Sequence, residues 1–348
     1  MITSALYIRG RSGNSTIRVA KGIRNLEAYA PFDRGVIITD THVRRLYEKD
    51  FPPFKVVEIG AGEGIKTLST VTEIYDSFLH LGLDRSSFVV GIGGGVVCDI
   101  TGFAASTYLR GLRFGLIPTT LLSQVDAGIG GKNGVNLNGY KNMVGLFSQP
   151  EFVLCDVGLL NTLPARELLI GFSEIVKHAL IADKDLFSYL EENHEKALEL
   201  QESVMEKLVR ASLKIKTGVV NRDETETGER RVLNFGHTFG HAIERTTGAS
   251  HGEAVSVGMV MASLFSQMKG YLPLDRVQRI KTLLTKLGLP TRVDLNREAV
   301  FDAVRKDKKR SGEKIHFVFL TDIGHAVVEE VALSELEQMT GDMNWSWH

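Results

Sequence analysis

Histidines and carboxylates gather in one short stretch of this chain. In Asn234-Phe235-Gly236-His237-Thr238-Phe239-Gly240-His241-Ala242-Ile243-Glu244, residues His237, His241 and Glu244 recur at spacings of four and three, along one surface of a helix. Fourteen residues after His237 comes His251, in HGEAVSVGM. A lone helical histidine is usually structural or solvated, but two such elements this close, beside apolar helices, point toward a metal. Imidazole and carboxylate suit zinc, and a catalytic zinc site takes three protein ligands and leaves one position open. One more carboxylate is needed. Glu174, in GFSEIVKH, is a candidate, because an unpaired carboxylate within an apolar helix is costly. Lys177 follows one turn later on the same face, so an ordinary helical ion pair explains Glu174 and Lys177 as well as ligation does.

A second candidate is the run Gly91-Ile92-Gly93-Gly94-Gly95-Val96-Val97-Cys98-Asp99, between a strand-like segment and the helix-like ITGFAASTYL. Glycines at a strand-to-helix turn let the backbone approach a pyrophosphate, whose charge the helix N-terminus then meets. A glycine run alone fits a ligand-free tight turn equally well, and the spacing is not GxGxxG. Its place at a strand end favours a dinucleotide. A third set is basic and amide-rich: Arg110, Arg113, Asp126, Lys132, Asn136, Lys141, Asn142, Lys216 and Arg230. Any one of these is by default merely solvated. Several stand among glycines and apolar residues (YLRGLRFGLIP, AGIGGKNGVN, GYKNMVG), as the lining for a small, multiply negative substrate would.

These residues need elements to hold them. Val36–Thr39, Val56–Ile59 and Phe88–Ile92 read as buried parallel strands, and Leu68–Leu81 between them as an amphipathic helix. Alternation of this kind predicts a doubly wound α/β first half. From about Leu163 the texture turns helical, with helices expected over 167–180, 186–220 and 232–245 and one late strand over 315–320. The expected organisation is an α/β, Rossmann-like parallel-sheet domain over residues 1–160 and a mainly α-helical domain over 161–348. With 348 residues and 43% hydrophobic content, each half has material for its own core. Forty-one basic side chains against 42 acidic ones leave no global field to hold nucleic acid or an anionic membrane. Cys98 and Cys155 lie in apolar stretches and read as buried thiols of a reducing compartment. No leader-like N-terminus or run of about 18 apolar residues is visible, so a soluble cytoplasmic protein is expected.

Taken together, GGGVVCDITGFAASTYLRG, PTTLLSQVDAGIGGKNGVN, YKNMVGLFSQP, NTLPARE, GFSEIVKHALI, DETETGERRVLNFGHTFGHAIE, HGEAVSVGM and DKK resemble the 3-dehydroquinate synthase family, in that family's order, from about residue 36 to 325. The resemblance implies an NAD-binding α/β domain, a helical zinc-binding domain and a homodimer. It makes Glu174, His237 and His251 the metal ligands, with zinc expected and cobalt as an alternative. It assigns NAD contacts to Asp40, Glu63, Lys66, Gly94, Gly95, Val96, Asp99, Thr119, Thr120, Leu122, Lys141, Thr162, Leu163 and Glu167. Asp126, Lys132, Asn142, Lys177, Lys216, Arg230, Asn234 and His241 would meet substrate, with one of Lys308 and Lys309. Arg110 would be lent to the neighbouring subunit. His42 and Asn133 depart from the family's usual asparagine and threonine.

The implied reaction converts 3-deoxy-D-arabino-heptulosonate 7-phosphate, a small sugar-acid phosphate, to 3-dehydroquinate and phosphate. Oxidation at C5 acidifies the C6 proton, whose loss expels phosphate; reduction, ring opening and aldol closure follow. Sister cyclases acting on sedoheptulose 7-phosphate or glucose 6-phosphate, and metal-dependent polyol dehydrogenases, are the alternatives. Only the dehydrogenases would release NADH and need no lining for phosphate and carboxylate.

Overall fold

The computed structural model describes residues 5–29, 35–293, 297–305, 310–311 and 313–342. Lys308, Lys309 and the tail 343–348 lie outside the described residues. Two compact units are present, the first of residues 1–164 with 216–225, the second of 165–215 with 226–348. No described helix is long and apolar enough to cross a membrane.

The first unit opens with an antiparallel hairpin, β1 (Leu6–Gly10) and β2 (Gly13–Val19), ahead of the first strand expected from the sequence. Then come β3 (Gly35–Asp40), α1 (Thr41–Tyr47), β4 (Lys55–Ile59), α2 (Leu68–His80), β5 (Phe88–Gly93), α3 (Gly95–Thr107), β6 (Arg113–Pro118), β7 (Lys132–Leu137), β8 (Tyr140–Phe147) and β9 (Phe152–Cys155). Among the described residues, seven strands form one sheet in the order β1-β2-β9-β6-β5-β3-β4, parallel except for β1 with β2. β7 and β8 form a separate two-stranded ribbon. β5 is buried at all six positions and β9 at all four, since strands covered on both faces need continuous apolar runs rather than alternation. Ile37, Val90, Ile92, Ile117 and Leu154 form the centre of that core. Cys98 and Cys155 are buried free thiols, and burial pushes both up toward the neutral form. The strand order reverses between β3 and β5, and in such sheets ligands settle outside the carboxyl ends at that switch point. Those ends carry Asp40 and Gly93.

The second unit contains α4 (Ala165–Ala182), α5 (Lys184–Leu198), α6 (Glu202–Arg222), α7 (His237–Thr247), α8 (His251–Met268), α9 (Leu274–Lys286) and α10 (Arg297–Arg305). It also contains β10 (Arg310–Ser311), β11 (Lys314–Asp322), β12 (His325–Ala332) and α11 (Leu333–Asp342), while the last turns of α6 group with the first unit. The helix expected over 186–220 is two helices, broken where Leu200 takes a φ of +57°. The helix expected over 232–245 starts only at His237, after a 3-10 turn and Gly236 at φ +77°. The late strand is the middle of a three-stranded antiparallel sheet. Its partner β12, HAVVEEVA, is half exposed, so its two glutamates hid a strand from a search for apolar runs.

Glu224 anchors the N-terminal hairpin within the first unit. Its carboxylate accepts the Arg11 and Ser12 N–H groups at 2.7 and 3.4 Å, the Ser12 hydroxyl, and the Gln149 amide at 2.9 Å. Burial raises this carboxyl, but the Ser12 and Gln149 hydrogen bonds and the backbone amides outweigh it and hold the group below the usual carboxylate range. The contribution is thus present above the unfolded value, about pH 4.3, and is lost as pH falls through the lower folded value. Glu224→Gln should cost about 1 to 2 kcal/mol at pH 7, the group being partly exposed. Urea unfolding should show that gap closing below about pH 4.

Candidate active site

Glu174 sits in the middle of α4, fully buried. His237 is the first residue of α7 and His251 the first of α8. Small residues allow these helices to converge. A Cβ on Gly258 would fall 2.0 Å from the Gly236 carbonyl oxygen, and one on Gly252 would fall 2.5 Å from the Ile170 Cα. Gly236 also takes the left-handed turn that starts α7 at the histidine. Glu253 accepts the Ser250 N–H at 2.8 Å, the reciprocal half of a capping box that fixes the start of α8. Ser250-His251-Gly252-Glu253 is the sequence signal for that start.

The ligand atoms of Glu174, His237 and His251 lie within 4.8 Å of one another. Both carboxylate oxygens of Glu174 are buried without a hydrogen bond, and the Lys177 ammonium pairs with Oε2. Nε2 of His237 stands 3.6 Å and Nε2 of His251 3.5 Å from Glu174 Oε1. Those separations exceed ordinary N–H···O lengths. Ligands about 2.1 Å from a tetrahedral centre are about 3.4 Å apart, so the three atoms fit a shared divalent cation better than bonds to each other. Tautomers agree. His237 Nδ1 is 3.2 Å from the Phe235 carbonyl and His251 Nδ1 is 3.4 Å from the Glu244 carboxylate. Both partners can only accept, so each Nδ1 carries the proton and each Nε2 keeps its lone pair for a metal.

Charge runs the same way. Burial, then the Lys177 ammonium, hold His237 well below the ordinary histidine value, leaving it neutral. Burial resists ionisation of Glu174, but Lys177 and the histidines outweigh it and keep the carboxyl well below its usual range. Burial would lower His251 too, yet the Glu174 and Glu244 carboxylates raise it to about 9, so this imidazole takes a second proton on Nε2 that a divalent cation would displace. Sequence spacing placed Glu244 on this helix without giving it a role; the structure puts it behind His251. His241 joins the group, its ring 5.3 Å from that of His237 and 6.3 Å from that of His251. Arg230, buried, and Asn234 stand in the 3-10 turn just before α7, and the Asn234 amide donates to Glu226 at 2.5 Å. Glu167 is exposed in the first turn of α4.

In the first unit, the glycine turn leads from β5 into α3 with no side chain capping the helix, so its N-terminal amides are available to an anion. A Cβ on Gly94 would come within 3.1 Å of Thr120 and one on Gly95 within 3.1 Å of Ala127, so a bare backbone forms this cradle. Val96 lies in that first turn, and Thr119 donates its N–H back to Gly93 at 2.9 Å. Asp40 ends β3 and caps α1 through the His42 and Val43 N–H groups, leaving the His42 side chain exposed. Lys66 pairs with Asp99, whose carboxyl burial pushes up to about 6 against the pull of Lys66, and donates to Asn142 at 2.5 Å. Lys216 pairs with the Asp126 carboxylate and donates to its carbonyl at 2.6 Å. Lys132 and Lys141 are exposed on the β7–β8 ribbon, Leu122 is half-buried beside Thr120, and Thr162 accepts or donates a 2.7 Å bond with Tyr47 just before Leu163. Asn133 fills the space left by Gly102 and donates to the Gly131 and Ser148 carbonyls at 3.0 and 2.9 Å, bonds within reach of an amide. Arg110 is not brought to the glycine turn: it sits at the far end of α3, about 20 Å along the helix axis, in left-handed backbone at φ +67°.

The carboxylate behind His251 is directly testable. Glu244→Ala should weaken zinc binding about 10- to 100-fold in a chelator competition assay, while Glu174→Gln should abolish stoichiometric binding.

Sequence relationships agree with this geometry. The family described as 3-dehydroquinate synthase N-terminal matches residues 56–170, and 3-dehydroquinate synthase C-terminal matches residues 171–310. A 3-dehydroquinate synthase of Streptococcus sanguinis (strain SK36) is 43% identical over 323 residues, spanning 88% of this chain and 89% of that protein. Among solved structures, 2-epi-5-epi-valiolone synthase from Streptomyces hygroscopicus subsp. jinggangensis 5008, with NAD+ and Zn2+ bound, matches with a TM-score of 0.85 at 30% identity, covering 97% of this chain and 98% of that one. A 2-deoxy-scyllo-inosose synthase complexed with carbaglucose-6-phosphate, NAD+ and Co2+ matches with a TM-score of 0.81 at 27% identity, covering 96% and 98%. Because one family accounts for both halves of the chain, and a relative shares 43% of the aligned positions across most of its length, the chain belongs to the 3-dehydroquinate synthase family.

Proposed function

We propose that this chain is a 3-dehydroquinate synthase, converting 3-deoxy-D-arabino-heptulosonate 7-phosphate to 3-dehydroquinate and phosphate in the shikimate pathway. The observation that carries the reading is the convergence of Glu174, His237 and His251, beside Lys177, in a chain of this family. Bound at the glycine turn and at this triad, NAD and a divalent metal, zinc or cobalt, would supply hydride exchange and Lewis acidity at the substrate's C5 hydroxyl. NAD would meet Asp40, Glu63, Lys66, Gly94, Gly95, Val96, Asp99, Thr119, Thr120, Leu122, Lys141, Thr162, Leu163 and Glu167.

The chain's own groups would do the rest. Lys177, held by Glu174, keeps a fixed ammonium for developing oxyanions, and Lys216, held by Asp126, keeps another. Lys132, Asn234 and His241 would hold the phosphate that takes the C6 proton as it leaves, with Asn142 on the same substrate. Arg230 offers the carboxylate a guanidinium fork. Closing the ring then needs mainly confinement. We assign the protein to the cytoplasm and to a homodimer in which Arg110 serves the neighbouring subunit.

Two outcomes test the reading. Phosphate release should require NAD without accumulating NADH, stop on chelation and return with zinc; stoichiometric NADH over many turnovers would make the protein a dehydrogenase. Arg230→Ala should lose at least tens-fold in kcat/KM on the heptulosonate phosphate, as losing one member of a buried charged pair costs about 2 to 5 kcal/mol, while still binding metal and NAD. A wild-type preference for sedoheptulose 7-phosphate would instead identify a sister cyclase.

A further inference from the structure

Asn136, one of the basic and amide-rich set, receives no NAD, metal or substrate contact from the family resemblance, yet it joins three segments of the first unit. Strand pairing between β7 and β8 shifts register between Val135 and Leu137, which leaves Asn136 outside the ladder. Such a bulge frees backbone groups and re-aims the strand. The freed N–H of Asn136 donates to the Lys66 carbonyl at 2.8 Å, beside a parallel bridge from Thr67 to Asn136. Its side chain works in both directions. Nδ2 donates to Glu63 Oε1 at 2.8 Å, and Oδ1 accepts the Asn142 N–H at 2.8 Å. Asn142 is held in left-handed backbone at φ +51°, and its own Oδ1 accepts from Lys66 Nζ at 2.5 Å. A ring therefore closes through Glu63, Asn136, Asn142 and Lys66.

An amide supplies, on one short planar group, the donor and the acceptor that this ring needs. β7 packs inward through Asn133 and Val135, but the far end of the ribbon does not, since Leu137, Tyr140 and Met143 are 38%, 57% and 49% exposed. The polar bonds to the Glu63–Lys66 turn act on that far end. We infer that Asn136 is a positioning residue that transmits occupancy of the Glu63–Lys66 turn to the β7–β8 ribbon, and so sets where Lys141 and Asn142 stand. The inference rests on the reading that NAD meets Glu63 and Lys66.

The test is amide hydrogen exchange over residues 132–147 with and without saturating NAD, binding being followed separately by calorimetry. In wild type, NAD should slow exchange of the ribbon about tenfold, the worth of one hydrogen bond to a charged group. Asn136→Asp keeps the acceptor for Asn142 but sets two carboxylates face to face, so NAD should still bind while the ribbon no longer responds. Asn136→Ala removes both side-chain bonds without adding a carboxylate and must uncouple the ribbon too, with NAD still bound. A merely structural asparagine would speed exchange equally with and without NAD, and that result, or full slowing in Asn136→Asp, overturns the inference. Wild type that fails to bind NAD overturns the cofactor reading as well, and calorimetry separates the two failures.

Discussion

Glu174 has no exposed surface, and removing an ionised carboxylate from water costs several kcal/mol unless positive charge and donors replace the water. Lys177 supplies one charge from the next turn of α4. Two imidazoles approach the remaining oxygen without bonding it. The second unit is organised around this deficit: α4 lies on α8 at Gly252, α7 lies on α8 at Gly258, and both histidines start their helices. Any larger residue at those contacts would separate the ligands and leave the Glu174 oxygen that Lys177 does not pair with without its imidazoles.

The first unit solves a different problem, that of leaving backbone amides open to an anion while the sheet beneath stays dry. A helix that begins at Gly95 without a side-chain cap would ordinarily be the weak end of its element. Here β5, buried at every position, carries the turn, and the reversal of strand order between β3 and β5 keeps the space outside it clear. The dryness of the sheet also holds the Cys98 and Cys155 thiols in the neutral form.

Much of this was legible in the sequence, for reasons that can be named. Central strands such as Phe88–Gly93 are unbroken apolar runs, and the histidine spacing marks α7 directly. The β1–β2 hairpin and β12 were not legible, because β1 and β12 at sheet edges, and β2 beside β1, mix apolar with water-facing residues and lack an unbroken apolar run. The break at Leu200 was hidden inside continuous helical periodicity. At the site, spacing left Glu174 with Lys177 open between ion pair and ligation, and the structure shows that the alternatives were never exclusive: the lysine pairs with one carboxylate oxygen while the histidines face the other. Asn136 was visible only as one amide in a glycine-rich stretch, since its significance depends on a register shift that no linear pattern displays.

Three lysines are buried among the described residues, Lys66, Lys177 and Lys216, and each is clamped by a carboxylate: Asp99, Glu174 and Asp126 respectively. Such pairs are poor devices for stability, since apolar replacements of similar volume are often neutral or better. Their value lies in place rather than strength. An ammonium on a free four-carbon stem loses considerable rotamer entropy when it first meets a substrate, whereas one already held by a carboxylate has lost that freedom on folding. The chain carries almost no net charge with which to attract an anion from a distance. What it offers instead is a few cations fixed in advance, each beside a carboxylate that shares its charge; with the substrate roles proposed for them, fixed local charge rather than a global field would hold phosphate and carboxylate.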